Sequence, residues 1–313
     1  MEGTPLPAGE PRRGGYPLTC FNPLEARKAG NGDIAFGHAP GGEMNFHLPC
    51  GQCIGCRLQK AREWSIRCTH EAEMHDHNSF ITLTYNEEHY PTDPFGSLDL
   101  DHWKKFRKRL RYHCGPFRFI SVGEYGDALL RPHYHALIFG LDFQWDAEPV
   151  EGHSMKEFWT SPELEKIWGK GYVTVAPLNA ATVGYVCKYA IKKQTGDHVS
   201  TERTDPETGE CWEVAPEFVT HSRRPGIGST WIQKWGKTDV FPGDDVVING
   251  TKMRPPSYYD QFLDDQALEA VKKKRKDAMQ ERSEQFTEEL LRKREEWLQG
   301  RLQRRAQEKK LGL

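Results

Sequence analysis

Apolar positions along the chain recur with two different periods, and the switches between them predict its elements. From Arg57 to His75, "RLQKAREWSIRCTHEAEMH" places Leu58, Ala61, Trp64, Ile66 and Cys68 near helical spacing, which predicts a helix. "FITLTY" (80–85) reads as a strand and is followed by the turn-rich loop "NEEHYPTDPFG". A basic helix over 99–113 ends at Gly115-Pro116. "FRFISVGEY" (117–125) and "HYHALIFGL" (133–141) are strands joined by the short loop "GDALLRP". A helix near 155–167, a strand "GYVTVAPL" (171–178) and a helix at 180–193 complete the periodic region. Strands separated by helices, with one hairpin-like pair in the middle, predict an α+β sandwich of ferredoxin type around a central antiparallel sheet.

The two ends differ from this middle. Residues 1–49 are rich in Gly and Pro and predict loops and short strands; 194–216 reads as a polar insertion. The last ~55 residues carry many charges of both signs and almost no Gly or Pro, which predicts a long solvated helix or a partner-dependent tail. The expected division is a Cys-rich segment with its helix (1–75), a central domain (76–250) and a charged helical tail (251–313). With 37% hydrophobic and 28% charged residues, no run suits a bilayer. The first residues lack a signal peptide's apolar core, so the eight cysteines are expected as reduced or metal-bound thiols in a cytosol. The net charge of −2 excludes a protein that coats duplexes by overall charge, and leaves nucleic-acid binding to local patches.

Within "RPHYHALIFG" (131–140), alternation along a strand puts His133 and His135 on one face. Two imidazoles are half of a metal site, and Glu124, at the end of the neighbouring strand, can reach them as a third ligand. Two nitrogens and a carboxylate leave coordination positions open for a substrate oxygen. On "ATVGYVCKYAIKK" (181–193), helical geometry gathers Val183, Val186, Cys187, Ala190 and Ile191 on one face. Tyr185, Lys188, Tyr189 and Lys192 fall on the other, displayed instead of packed. A phenol with a pKa near ~10 is a nucleophile only beside cations or a metal-polarised target.

Cys50, Cys53 and Cys56 open like an iron–sulfur run, but Lys60 stands where the fourth ligand belongs. A structural Zn²⁺ fits better, with Cys20 completing a four-thiolate site and His47 as the competing fourth ligand; free thiols and a redox role are the alternatives. Cys68, Cys114 and Cys187 read as small buried hydrophobes. On the basic helix, Trp103, Phe106 and Leu110 are expected in the core, while its lysines and arginines remain free to track a DNA backbone. Arg223, Arg224 and the "PGIG" turn are candidate DNA contacts.

"FITLTY", "GEYG…RPHYHALIFG" and "YVCKYAIKK", taken together, resemble the HUH (His-hydrophobic-His) endonucleases, whose fold is ferredoxin- or RRM-like. Within that group the chain is most similar to the replication initiators of gokushovirus-like single-stranded-DNA microviruses, and "PCGQCIGCR" and "SRRPGIGSTW" extend the resemblance from about Cys20 to Trp235. The resemblance implies that His133, His135 and Glu124 hold Mg²⁺ or Mn²⁺ against the scissile phosphate of single-stranded origin DNA. Tyr185 or Tyr189 would then attack, leaving a 5′-phosphotyrosine and a free 3′-hydroxyl for rolling-circle synthesis, with Lys188 stabilising charge on the phosphate. It also implies work in a bacterial host's cytoplasm, beside host helicase and polymerase, with no membrane. No Gly-x-x-x-x-Gly-Lys-Ser/Thr loop is present, so a fused helicase is not expected. Two other classes compete: a non-catalytic zinc-dependent nucleic-acid-binding protein, and a metal-dependent hydrolase that uses water. Neither requires the Tyr-Lys-Tyr-Lys face.

Overall fold

The computed structural model describes residues 20–29, 33–36, 46–92, 95–126, 129–192, 201–204, 208–283 and 287–310. The chain divides into two compact units, one of Met1–Cys56 with Ile232–Leu313 and one of Arg57–Trp231. Among the described residues, no helix is long and apolar enough to cross a membrane.

In the first unit, β1 (Leu24–Lys28), β2 (Ile34–Phe36) and β3 (Phe46–Leu48) form a small antiparallel sheet in the order β2–β1–β3. Helix α1 (Ile54–Ala72) follows and continues into the second unit. That unit then runs β4 (Asn78–Thr84), α2 (Leu100–Cys114), β5 (Arg118–Tyr125), β6 (Pro132–Phe139), β7 (Glu148–Pro149), β8 (Trp159–Thr160), α3 (Pro162–Trp168), β9 (Val173–Pro177) and α4 (Ala180–Lys192). After these come β10 (Glu202–Thr204), β11 (Cys211–Glu213), β12 (Phe218–His221) and α5 (Ser229–Trp235). The first unit resumes with the hairpin β13 (Val246–Ile248) and β14 (Thr251–Met253), then α6 (Asp265–Ser283) and α7 (Glu288–Lys310). The tail is therefore two helices instead of one. Arg275 on α6 anchors it through paired contacts of 2.6–3.0 Å to Asp244 and Asp260.

The second unit is mixed α/β, built on a seven-stranded antiparallel sheet in the order β12–β5–β6–β4–β9–β8–β7. Strand alternation gives it two apolar faces. Trp103, Phe106 and Leu110 of α2 and Leu164, Ile167 and Trp168 of α3 bury one, over Leu83, Phe119, Tyr134 and Ile138. Each such side chain contributes about 1.5–3 kcal/mol. Trp64 and Cys68 of α1 and Val183, Val186 and Cys187 of α4 cover the other, over Phe80, Val122, Leu137 and Phe139. Helix α2 starts where Asp99 accepts the N–H groups of Asp101 and His102, and it ends at Gly115 with φ +84°.

Three elements differ from the sequence reading. The helix expected near 155–167 begins only at Pro162, because Ser161 caps it by accepting the Leu164 N–H, and Trp159–Thr160 is a short strand against β9. Within 194–216, which lies partly outside the described residues, β10 and β11 form a hairpin. Strand β12, unforeseen, lies at the sheet edge beside β5, and its residues are half-buried, with no apolar alternation to announce them. Cys68 and Cys187 are fully buried as expected, and Cys114 is half-buried.

Gly171 marks a close approach of two backbones. With φ +144°, a Cβ there would lie 2.3 Å from the Asn86 nitrogen and 2.5 Å from the Thr84 oxygen. Those groups are fixed by reciprocal Thr84–Tyr172 hydrogen bonds of 3.0 and 3.2 Å. Gly171→Ala should therefore destabilise the protein by about 2–4 kcal/mol, combining backbone strain and overpacking. Gly184→Ala, in α4 with open space around its Cβ, should instead stabilise it by about 0.5–1 kcal/mol. Chemical denaturation of the two variants checks the opposite signs.

Candidate active site

Strands β5 and β6 pair so that Glu124 lies opposite His133 and Val122 opposite His135. Directly paired residues share a face, so all three candidate ligands project toward α4. Their ligand atoms lie within 4.8 Å of one another. Glu124 is buried, and its Oε1 lies 3.1 Å from His133 Nε2 and 3.0 Å from His135 Nε2. From the opposite-facing side of α4, the Tyr185 hydroxyl donates to the same Oε1 at 2.7 Å and lies 3.3 Å from His135 Nε2. Sequence reasoning named these four residues, and folding brings all four together.

The second nitrogen of each imidazole is also held. His133 Nδ1 donates to the Arg131 carbonyl at 3.0 Å, and His135 Nδ1 lies 2.8 Å from Thr82 Oγ1. The Phe80 ring stacks on His135 with centroids 5.3 Å apart and meets Tyr185 edge-on at 6.2 Å. Phe80, Thr82 and the Arg131 carbonyl are parts of the site that sequence reasoning missed. Thr82 left one signal: it is a polar residue on the Phe80 face of an otherwise apolar strand. Its partner follows from the Thr82–His135 register, which no local pattern encodes.

The electrostatics are those of one carboxylate shared by two imidazoles. Burial pushes the Glu124 carboxyl up, but hydrogen bonds from His133 and His135 outweigh it and bring it down to about 2. Burial pulls His133 down, yet Glu124 and the Arg131 carbonyl raise it on balance. For His135 burial wins, and its value falls. One anion compensates one imidazolium, so the opposite directions are consistent.

The arrangement suits a cation better than the protons that now fill it. Three donors crowd Oε1, while Glu124 Oε2 is buried without a hydrogen-bond partner. One divalent ion in place of the two Nε2 protons would convert two lone pairs and a carboxylate into three ligands. The observed Nδ1 contacts hold both rings in the orientation this requires.

Lys188 is exposed one turn after Tyr185 on the same helix. Tyr189 and Lys192 lie on α4, but their side chains are outside the described residues. Arg223 and Arg224 are exposed just past β12 and line a groove beside α2, away from these ligands.

A second group of ligand atoms lies in the other unit. The sulfurs of Cys20, Cys50, Cys53 and Cys56 are within 4.8 Å of one another. His47, the competing ligand, is exposed on β3 and outside the group. Main-chain N–H groups point at the sulfurs: Cys50 to Cys20 at 3.2 Å, and Cys53 to Cys50 and Phe21 to Cys53 at 3.3 Å. Burial pushes the Cys50 thiol up, but the N–H groups of Cys53 and Gln52 bring it down to about 7. Burial raises Cys20 and Cys56. Four thiols this close and this wrapped in amides can hold one metal ion.

Residues 78–194 match the family model of the replication-associated protein ORF2, a span that contains all four clustered site residues. The chain is similar to replication-associated protein VP4 of Bdellovibrio phage phiMH2K, 29% identical over 257 residues, 78% of this chain and 77% of the relative. It is 27% identical over 288 residues to replication-associated protein ORF2 of Spiroplasma virus 4, covering 82% of this chain and 86% of the relative. Replication-associated protein ORF4 of Chlamydia phage 1 is 34% identical over 233 residues, 71% of this chain and 54% of the relative. No solved structure matches.

The depressed Glu124 acidity predicts an acid limit to stability without metal. Its folded value of about 2 lies below the ordinary 4.5, so the fold favours the charged form. That contribution is complete above 4.5 and is lost as pH falls toward 2. In chelator, the melting-temperature gap between wild type and Glu124→Gln should therefore be widest near neutrality and close below pH 4.5.

Proposed function

Given that this chain is a microvirus-like replication-associated protein, we propose that it initiates replication by nicking single-stranded origin DNA and later rejoins the strand. The observation that carries the proposal is the Tyr185 hydroxyl, 2.7 Å from a carboxylate that two histidines share. A non-catalytic binding module gives no reason for a phenol there. The strand order β9–β4–β6–β5, with α2 and α3 on one face, supports a ferredoxin-like HUH domain.

In this reading His133, His135 and Glu124 hold Mg²⁺ or Mn²⁺, which when bound polarises a phosphate oxygen as a Lewis acid. Tyr185 attacks the phosphorus, and the bond from phosphorus to the 3′-oxygen breaks. The products are a 5′-phosphotyrosine and, after the leaving oxygen takes a proton, a 3′-hydroxyl. The phosphodiester count is unchanged, so no nucleotide is consumed and the step is reversible. Glu124, at about 2, is a poor base for a phenol near ~10; it orients the hydroxyl, and the proton leaves toward solvent. Tyr185 is 37% exposed, so both solvent and a strand can reach it. Lys188 supplies positive charge on that face of α4. Tyr189 follows one helical turn later, roughly 6 Å away between Cα atoms, as the second nucleophile for rejoining. The place of action is a bacterial host's cytoplasm, with host helicase and polymerase extending the 3′ end.

The thiol group holds a structural Zn²⁺ in this proposal: four sulfurs close the coordination shell, as structural sites require. Elemental analysis should find about one zinc per chain, lost with Cys53→Ser, and the loss should lower the melting temperature. Full occupancy in the variant, or none in the wild type, would exclude the site.

The nicking reading is tested by incubating labelled single-stranded DNA with protein and Mn²⁺, then denaturing in SDS. A covalent adduct is expected with wild type, a reduced one with Tyr185→Phe or Tyr189→Phe alone, and none with both changes. His135→Ala should abolish it. Cleavage without an adduct would instead indicate hydrolysis by water, and binding with neither would indicate a non-catalytic module.

A further inference from the structure

A groove of ≈ 470 Å³ lies between α2 and the end of β12, and no carboxylate lines it. Six cationic side chains do: Lys104, Arg107, Arg111, Arg118, Arg223 and Arg224. Two are compensated from outside the groove, Lys104 by Asp101 and Arg118 by the buried Glu71. Among the described residues the other four have no carboxylate partner. Burial, and then the Arg111 charge, lower the pKa of Arg107, so the cluster stands in mutual repulsion. An anion would relieve it.

Two further features define the anion. The aromatic rings are not free to stack on bases: Arg107 covers Phe119 at 4.9 Å and Arg111 covers Phe117 at 5.2 Å. Recognition is therefore of phosphate and not of bases. The Arg223–Arg224 turn is also preset by its neighbours. Arg118 donates to the Pro225 and Gly226 carbonyls at 2.9 Å, Arg67 donates to the Ile227 carbonyl at 3.0 Å, and the Gly228 N–H donates to Glu71 at 2.6 Å. A turn held this way presents its arginines with little ordering cost.

The groove's sheet wall is also on the wrong side for the scissile phosphate. Phe119 and Thr220, the latter paired with Ser121, face α2, whereas Glu124 alternates with them and faces α4. The same stretch of strand cannot contact both.

We propose that this groove is a second DNA site, which binds the sugar–phosphate backbone of a segment distinct from the one that meets Tyr185, without sequence preference. This rests on the reading that the substrate is DNA. The test is fluorescence anisotropy of a labelled oligo-dT of about 30 nucleotides in EDTA, between about 50 and 200 mM salt. Arg223→Gln/Arg224→Gln and Arg107→Gln/Arg111→Gln should each flatten the log Kd against log salt slope by about 1.4, or ~0.7 per lost phosphate contact. Lys273→Gln/Lys276→Gln, which removes the same charge from exposed positions on α6, should leave the slope near wild type.

Unchanged slopes in the groove variants, or an equal loss in the α6 control, would overturn the proposal. Arg223 and Arg224 are exposed, so if the α2 variant unfolds, the Arg223/Arg224 pair decides. The two readings fail separately. A wild-type adduct with unchanged groove slopes sinks only the groove, and no adduct with flattened slopes sinks only the nicking.

Discussion

The register between β5 and β6 is the constraint on which the site depends. It sets Glu124 opposite His133 and Val122 opposite His135, so one carboxylate oxygen falls between two imidazole nitrogens. Strand side chains alternate, so a slip of one residue would send Glu124 or both histidines to the opposite face. What holds the register is the burial of both faces. Tyr134, Ala136 and Ile138 are packed under α2 and α3, while Leu137 and Phe139 are packed under α1 and α4. No slip preserves both layers. The chemistry is therefore as rigid as the core that surrounds it.

The buried polar groups extend this rigidity to the edge of the sheet. Glu71, fully buried, takes a salt bridge from Arg118 and the Gly228 N–H, which fastens the turn after β12 to α1 and β5. Burial raises the Glu71 carboxyl, while the His75 side chain, the Gly228 N–H and Arg118 lower it, and the balance falls below the ordinary range. A charge buried this way costs little only while every partner stays in place. The turn that carries Arg223 and Arg224 is thereby as well determined as a strand.

The two ligand clusters differ in the way their chemistry predicts. Four sulfurs with amide N–H groups directed at them make a closed shell that can tie a short sheet to the start of a helix. Two nitrogens and a carboxylate, with a half-exposed phenol alongside, make an open one. The first arrangement suits structure and the second suits a substrate oxygen.

Much of this was legible in the chain itself. Strand alternation put His133 and His135 on one face, helical spacing separated Tyr185 from Val183, Val186 and Cys187, and the Cys-x-x-Cys-x-x-Cys run marked the thiol cluster, because each is a local periodicity. The start of α3 was misjudged because the Ser161 cap outweighed the apolar pattern before it. Strand β12, the Thr82 contact to His135, the choice of Cys20 over His47 and the removal of Arg223 and Arg224 from the catalytic face were decided only by tertiary structure. Each depends on a pairing between residues far apart in sequence. Such pairings are set by the simultaneous burial of two sheet faces, and no single segment carries that information.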